Sequence, residues 1–157
     1  MAKQILETAE SVQAAADQFV ACADDVGKRA KAGFDAGDIS IEEFIAQIPE
    51  ELRVRGQAMV LYSKAIDYVL TDAQLPQAEL DQAIAEARAK IATIKQVRKA
   101  IEIFSGVVVL AAAIVARDAN GTVKATKALA KLAKSDEHKP AAKAVAKKAK
   151  KDPKTVA

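Results

Sequence analysis

Apolar residues along the first thirty positions step by four and three: Ile5, Ala9, Val12, Ala16, Phe19, Ala23, Val26 and Ala30. That spacing puts them on one stripe of a helix that packs against a neighbour. Half of the stripe is Ala, so a neighbouring helix can come close while little area is buried in each layer. Gly33 and Gly37 close this element, and Ser40 followed by Glu43 has the spacing of a capping box that opens the next. Pro49 removes a backbone donor and biases Ile48 away from the helical well, which predicts a short helix over 41–47 and a longer one over 49–71. In the longer piece Leu52, Gly56, Met59, Ser63, Ile66 and Leu70 form a seam, widened by Val60, Leu61, Tyr62 and Val69. This second region is therefore expected to be more buried than the first.

From Pro76 to Arg117 no proline interrupts the chain. Leu80, Ile84, Ala87, Ile91, Ile94, Arg98, Ile101, Ser105, Val108, Ala112 and Val115 continue the same stepping. One unbroken helix of roughly 63 Å is expected, at ~1.5 Å per residue. Its first half is charged and amphipathic; from Ile103 to Ala116 (IFSGVVVLAAAIVA) there is no charge on any face. Asp118 to Gly121 reads as a turn, with Thr122 as the N-cap of a fourth helix over 122–135. The predicted fold is all-α: an elongated antiparallel bundle made of a helical hairpin, one long helix and one short basic amphipathic helix. The bundle occupies 1–135, and 136–157 is read as a flexible basic tail.

Composition agrees with that class. Of 157 residues 51% are hydrophobic, yet only six are aromatic, so the apolar content is mostly aliphatic. Charge divides the chain. Residues 1–121 hold 13 Lys and Arg against 18 Asp and Glu, a net −5, while 122–157 hold 11 Lys against three acids, a net +8. The closing stretch KPAAKAVAKKAKKDPKTVA resembles, over about 18 residues, the Lys-, Ala- and Pro-rich C-terminal tails of linker histones. That likeness implies binding to phosphate backbones without sequence preference. A lone Cys excludes an internal disulfide, and with a single His it excludes the usual four-ligand zinc sites. The opening MAKQILETAESVQ lacks the apolar run of a secretory signal, so a cytoplasmic location is expected, with peripheral attachment to a membrane as the variant.

Two surfaces are candidates for function. The uncharged run is about 21 Å long, short of a ~30 Å hydrocarbon core, and reads as either buried core or a docking segment. Read as a docking segment, it presents Ile103, Phe104, Val107, Val108, Leu110, Ile114 and Val115, joined by Leu129 and Leu132 of the fourth helix. Lys95, Arg98 and Lys99 before the run and Arg117 after it suit an anionic membrane or a partner's groove. A helical hairpin with an apolar end also resembles the head region of helical pore-forming toxins and of some bacterial or phage membrane-active proteins. Read as core, the run lies under the 34–48 turn, with Phe34, Ile39, Ile41, Phe44, Ile45 and Ile48, while Val123, Leu129 and Leu132 fold back over it.

The second surface is cationic: Lys124, Lys127, Lys131 and Lys134 in one stripe, then Lys143, Lys147, Lys148, Lys150 and Lys151 in the tail, for nucleic acid or another polyanion. Ala-rich seams also suit pairing of identical chains, so a homo-oligomer stays open.

Catalytic chemistry has little to stand on. Cys22 lies beside the first seam with Asp24 and Asp25 close by, which raises a thiol's pKa, and reads as structural. His138 sits between Glu137 and Lys139 in the tail. The pairs Glu42–Glu43 and Glu50–Glu51 belong to first helical turns, where the macrodipole favours acids. No Glu-x-x-His, GxGxxG or Walker pattern occurs, and no cofactor or metal is expected. The segment 37–44 resembles the second half of an EF-hand loop, but Ala32, Phe34 and Ala36 stand where that family has oxygen ligands. The leading expectation is a non-enzymatic helical interaction protein that docks through 103–116 and 122–135. The alternative is a soluble bundle whose tail binds polyanions.

Overall fold

The computed structural model describes residues 4–71 and 73–135. The tail lysines Lys143, Lys147, Lys148, Lys150 and Lys151, and the flexible-tail expectation itself, lie outside the described residues. The described part is all-α: α1 (Ala9–Asp35), α2 (Ile41–Ser63), a 3₁₀ turn (Ala65–Tyr68), α3 (Gln77–Thr93), α4 (Val97–Val115) and α5 (Ala119–Ser135).

The first seam forms as its spacing demands. Val12, Ala16, Phe19, Ala23, Val26 and Ala30 are all buried along α1. The helix starts later than Ile5, because Thr8 caps it: its Oγ1 accepts the Ser11 N–H, and the Thr8 N–H donates back to Ser11 Oγ. Residues 4–7 serve another purpose. Ile5 N–H donates to the Leu75 carbonyl, Leu70 N–H donates to the Leu6 carbonyl, and Leu6 N–H reaches Gln77 Oε1. The N-terminal segment thus fastens the connection before α3, with Ile5, Leu6, Leu70 and Leu75 buried together.

The Ser40–Glu43 capping box opens α2: Ser40 Oγ accepts from Glu43 N–H at 3.1 Å and Ser40 N–H donates to Glu43 Oε1 at 3.0 Å. Gly37 before it takes φ +81°, the left-handed region that a side chain disfavours. Pro49 does not break the helix: α2 runs through it from Ile41 to Ser63. Burial of Gln47 before it and Val54 after it holds both halves on the bundle, and packing of that kind overrides the proline's local cost.

The single helix expected over 76–117 is two helices. α3 ends at Thr93, Ile94 is extended (φ −64°, ψ 139°), and α4 begins at Val97 and packs back against α3. No proline or glycine marks this break. Its cause comes from α1, where the Arg29 guanidinium donates to the carbonyls of Ile91 (3.1 Å), Ala92 (3.0 Å) and Ile94. A cation bound to the carbonyls at a helix C-terminus satisfies groups that otherwise need another turn of helix. Gly33 then lets α1 meet the new start: a Cβ there would lie 2.7 Å from Val97 Cγ2.

The reversal places α4 at the centre, in contact with α1, α2, α3 and α5. α5 begins three residues earlier than expected. Asp118, not Thr122, caps it, accepting the Gly121 N–H at 2.8 Å, while Thr122 is buried and its hydroxyl donates to the Asp118 carbonyl.

Candidate docking surface

The apolar run is core. Ile103, Phe104, Val107, Val108, Leu110 and Ile114 are buried, Leu129 is buried against them from α5, and Val115 and Leu132 are half-buried. The docking face expected from 103–116 is therefore turned inward. The physical reason is the break at 94–96: folding α4 back on α3 surrounds it with four helices, enough to cover an element that is apolar all round. Val109 is the one large side chain of the run left exposed. Among the described residues no helix is long and apolar enough to cross a membrane. The 34–48 turn covers α4 only in part. Phe34 and Phe44 stack with centroids 5.2 Å apart and pack with Ile39 around Val97 and Ile101, while Ile41, Ile45 and Ile48 point away.

The exposed apolar surface lies on α2 instead. Ile41, Ile45, Ile48, Leu52, Met59 and Tyr62 face solvent, followed by Ile66 in the 3₁₀ turn; Leu52 is 63% exposed, Met59 67% and Ile66 77%. With Arg55 included the steps from 41 to 62 are four, three, four, three, four and three, a heptad seam with no partner among the described residues; Ile66 lies past the helix end, where Lys64 (φ −132°, ψ 39°) breaks the periodicity. The face turned inward is a second heptad made of smaller residues, Val54, Ala58, Leu61 and Ala65. Geometry decides between them. α1 offers an Ala-rich face, and Glu51 Oε1 lies 2.6 Å from where a Cβ on Gly27 would be. Gly27 leaves room for the Glu51 side chain, and the Ala-rich face of α1 takes Val54, Ala58 and Leu61. The expectation that α2 is the more buried helix is overturned: of the expected seam Leu52, Gly56, Met59, Ser63 and Ile66 are exposed, and Leu70 alone is buried.

The two polar members of this seam have their polar ends tied sideways. Arg55 donates to Asp24 at 2.7 Å and the Tyr62 hydroxyl donates to Asp17. Burial and that hydrogen bond push the phenol up to about 12. Asp17 and Asp24 are seven residues apart on α1, as Arg55 and Tyr62 are on α2. The aliphatic stem of Arg55 and the ring of Tyr62 are left along the outer face.

Beside the seam, α2 and α4 enclose a groove of about 610 Å³, floored by Ile101, Phe104 and Val108. Gln47 lines it, only 4% exposed, and its Nε2 has no hydrogen-bond partner among the described residues. At its mouth Arg98 holds Glu43 through two bonds, 2.6 and 2.8 Å. Those bonds, with the Ser40 N–H, hold the Glu43 carboxyl down at about 2. Glu50 and Glu102 complete an acidic rim.

The lysine stripe of α5 is on the surface: Lys124, Lys127, Lys131 and Lys134 are all exposed. Lys127 and Lys134 share a shallow depression with Glu79 and Glu86 of α3. Cys22 is buried, and desolvation pushes its thiol up to about 12. Among the described residues no cluster of His, Cys, Asp or Glu is placed to hold a metal ion. No family model, curated protein or solved structure matches the chain.

Proposed function

We propose that this chain is a non-enzymatic interaction protein that docks an amphipathic helix of a protein partner on the outward face of α2. One observation carries the reading: a heptad seam of large apolar side chains is exposed on α2 while Val54, Ala58 and Leu61 of the same helix form the core contact. Isolated apolar side chains on a surface are ordinary, but a stripe about 32 Å long at coiled-coil spacing has the shape of a helix-binding face. The charges beside it favour protein over anionic lipid. Glu42, Glu43, Glu50 and Glu51 crowd the N-terminal half, against Arg53, Arg55 and Lys64 further along, and an anionic surface repels the acidic end.

The test is a photo-crosslinking side chain placed at Leu52, and separately at the buried Val54, in the cells that make the protein. The reading expects a discrete adduct from position 52 that disappears on adding Ile48→Glu, and none from position 54. Absence of an adduct at 52, or persistence after Ile48→Glu, contradicts it.

A second reading is favoured by the four exposed lysines of α5: with the tail they form a polyanion-binding surface. Its test is DNA binding by the full chain at rising salt. Replacing Lys124, Lys127, Lys131 and Lys134 by Gln is expected to weaken binding and flatten the salt slope. An unchanged slope counts against the reading.

A further inference from the structure

We infer that the helix received by α2 is α2 of a second copy, running antiparallel; this rests on the docking reading above and names its partner. The seam is self-complementary in that direction. Laid antiparallel, Ile45 faces Tyr62 of the other copy, Ile48 faces Met59 and Leu52 faces Arg55, with a two-fold axis passing between residues 53 and 54. Every layer then pairs a position of one heptad phase with the other, as antiparallel packing of two helices requires, and the contact closes on itself as an isologous pair.

The alternative direction is worse. Parallel chains in register set Arg55 directly against Arg55, whereas the antiparallel register sets it beside Leu52. The seam is already prepared for an apolar neighbour. Asp24 and Asp17 draw the polar ends of Arg55 and Tyr62 off the midline, so closing the pair leaves neither end without a partner. Small residues line one flank: Pro49, Gly56 and Ser63 step by seven, and a Cβ on Gly56 would have nothing within 4 Å, leaving room for a close approach.

Sedimentation of the full chain over a concentration series tests association. The mass is expected to rise from 16.6 kDa toward twice that value, while Leu52→Glu with Met59→Glu holds it at the single-chain mass with the circular dichroism unchanged. Direction is read from disulfides. Ile48→Cys and Met59→Cys, oxidised separately, are expected to give no covalent dimer, and their mixture is expected to give one. Cys22 is buried and stays out of the reaction. A single-chain mass at every concentration overturns the inference, as does a dimer that survives the two glutamates, or crosslinking of either single variant with itself. A monomer whose position 52 still forms an adduct of another mass removes the self-pairing and leaves the docking reading intact. A monomer with no adduct removes both.

Discussion

Replacing Leu110 and Leu52 by Ala, one at a time, separates the two apolar surfaces by stability alone. Both are leucines near the middle of a helix, so the chemical change is the same. Leu110 is fully buried in α4 and Leu52 is 63% exposed on α2. Shortening Leu to Ala removes three carbons, a transfer cost of about 2 kcal/mol in a fully buried site. The space left behind adds to it, so the total falls in the range of about 2–5 kcal/mol. For a chain of this size each kcal/mol moves the melting temperature by roughly 2–4 °C. Leu110→Ala is therefore expected to lower it by about 4–20 °C. Leu52→Ala is expected to stay within about 0.5 kcal/mol, as a surface change does. Urea melts followed by circular dichroism at low protein concentration supply the numbers, with an unchanged slope as the check that one transition is being compared. Equal losses, or a silent Leu110→Ala, would refute the assignment of the 103–114 run to the core.

Three further outcomes follow from particular contacts. Arg29→Met keeps the stem and removes the donors to the carbonyls at the α3 terminus, so a loss of about 1.5–3 kcal/mol is expected, with amide exchange rising first around 91–97; uniform protection there would contradict the capping role. Glu43 has its folded pKa depressed from 4.5 to about 2 by Arg98 and Ser40. Its contribution is present above about pH 4.5 and is lost as pH falls toward 2, so Glu43→Gln is expected to reduce the acid sensitivity of the melting temperature in that window and to have no such effect on its pH dependence above it. With its thiol near 12 and no exposed surface, Cys22 is expected to react with a disulfide reagent at pH 8 only at the rate of unfolding; prompt labelling of the native chain would place it elsewhere.

The helix class, the α1 seam and the Ser40–Glu43 cap were legible because each depends on residues close in sequence. The end of α3 was not. Nothing in Ile91 to Gln96 stops a helix; the stop is supplied by Arg29, more than sixty positions earlier, and a charged residue on a helix face gives no notice of which carbonyls it will meet. The docking surface was misplaced for a related reason. α2 carries two heptads, and stepping by four and three favours the larger side chains. Which heptad turns inward depends on the face that α1 presents, and its alanines belong to another helix. The apolar run was recognised as an alternative core segment, but its cover came from the reversal at 94–96 rather than from Ile41, Ile45 and Ile48. The sideways ties from Arg55 to Asp24 and from Tyr62 to Asp17 had one available sign, the shared seven-residue spacing on both helices.

Met59 offers the most direct measurement of the central claim, that the large apolar face of α2 is turned outward while the 103–114 run is enclosed. Brief hydroxyl-radical exposure of the native protein at sub-micromolar concentration, read residue by residue by mass spectrometry, compares Met59, 67% exposed, with Phe104, 1% exposed. The account predicts rapid conversion of Met59 to the sulfoxide, with Phe104 unmodified until the protein unfolds. A protected Met59 beside a modified Phe104 would contradict it.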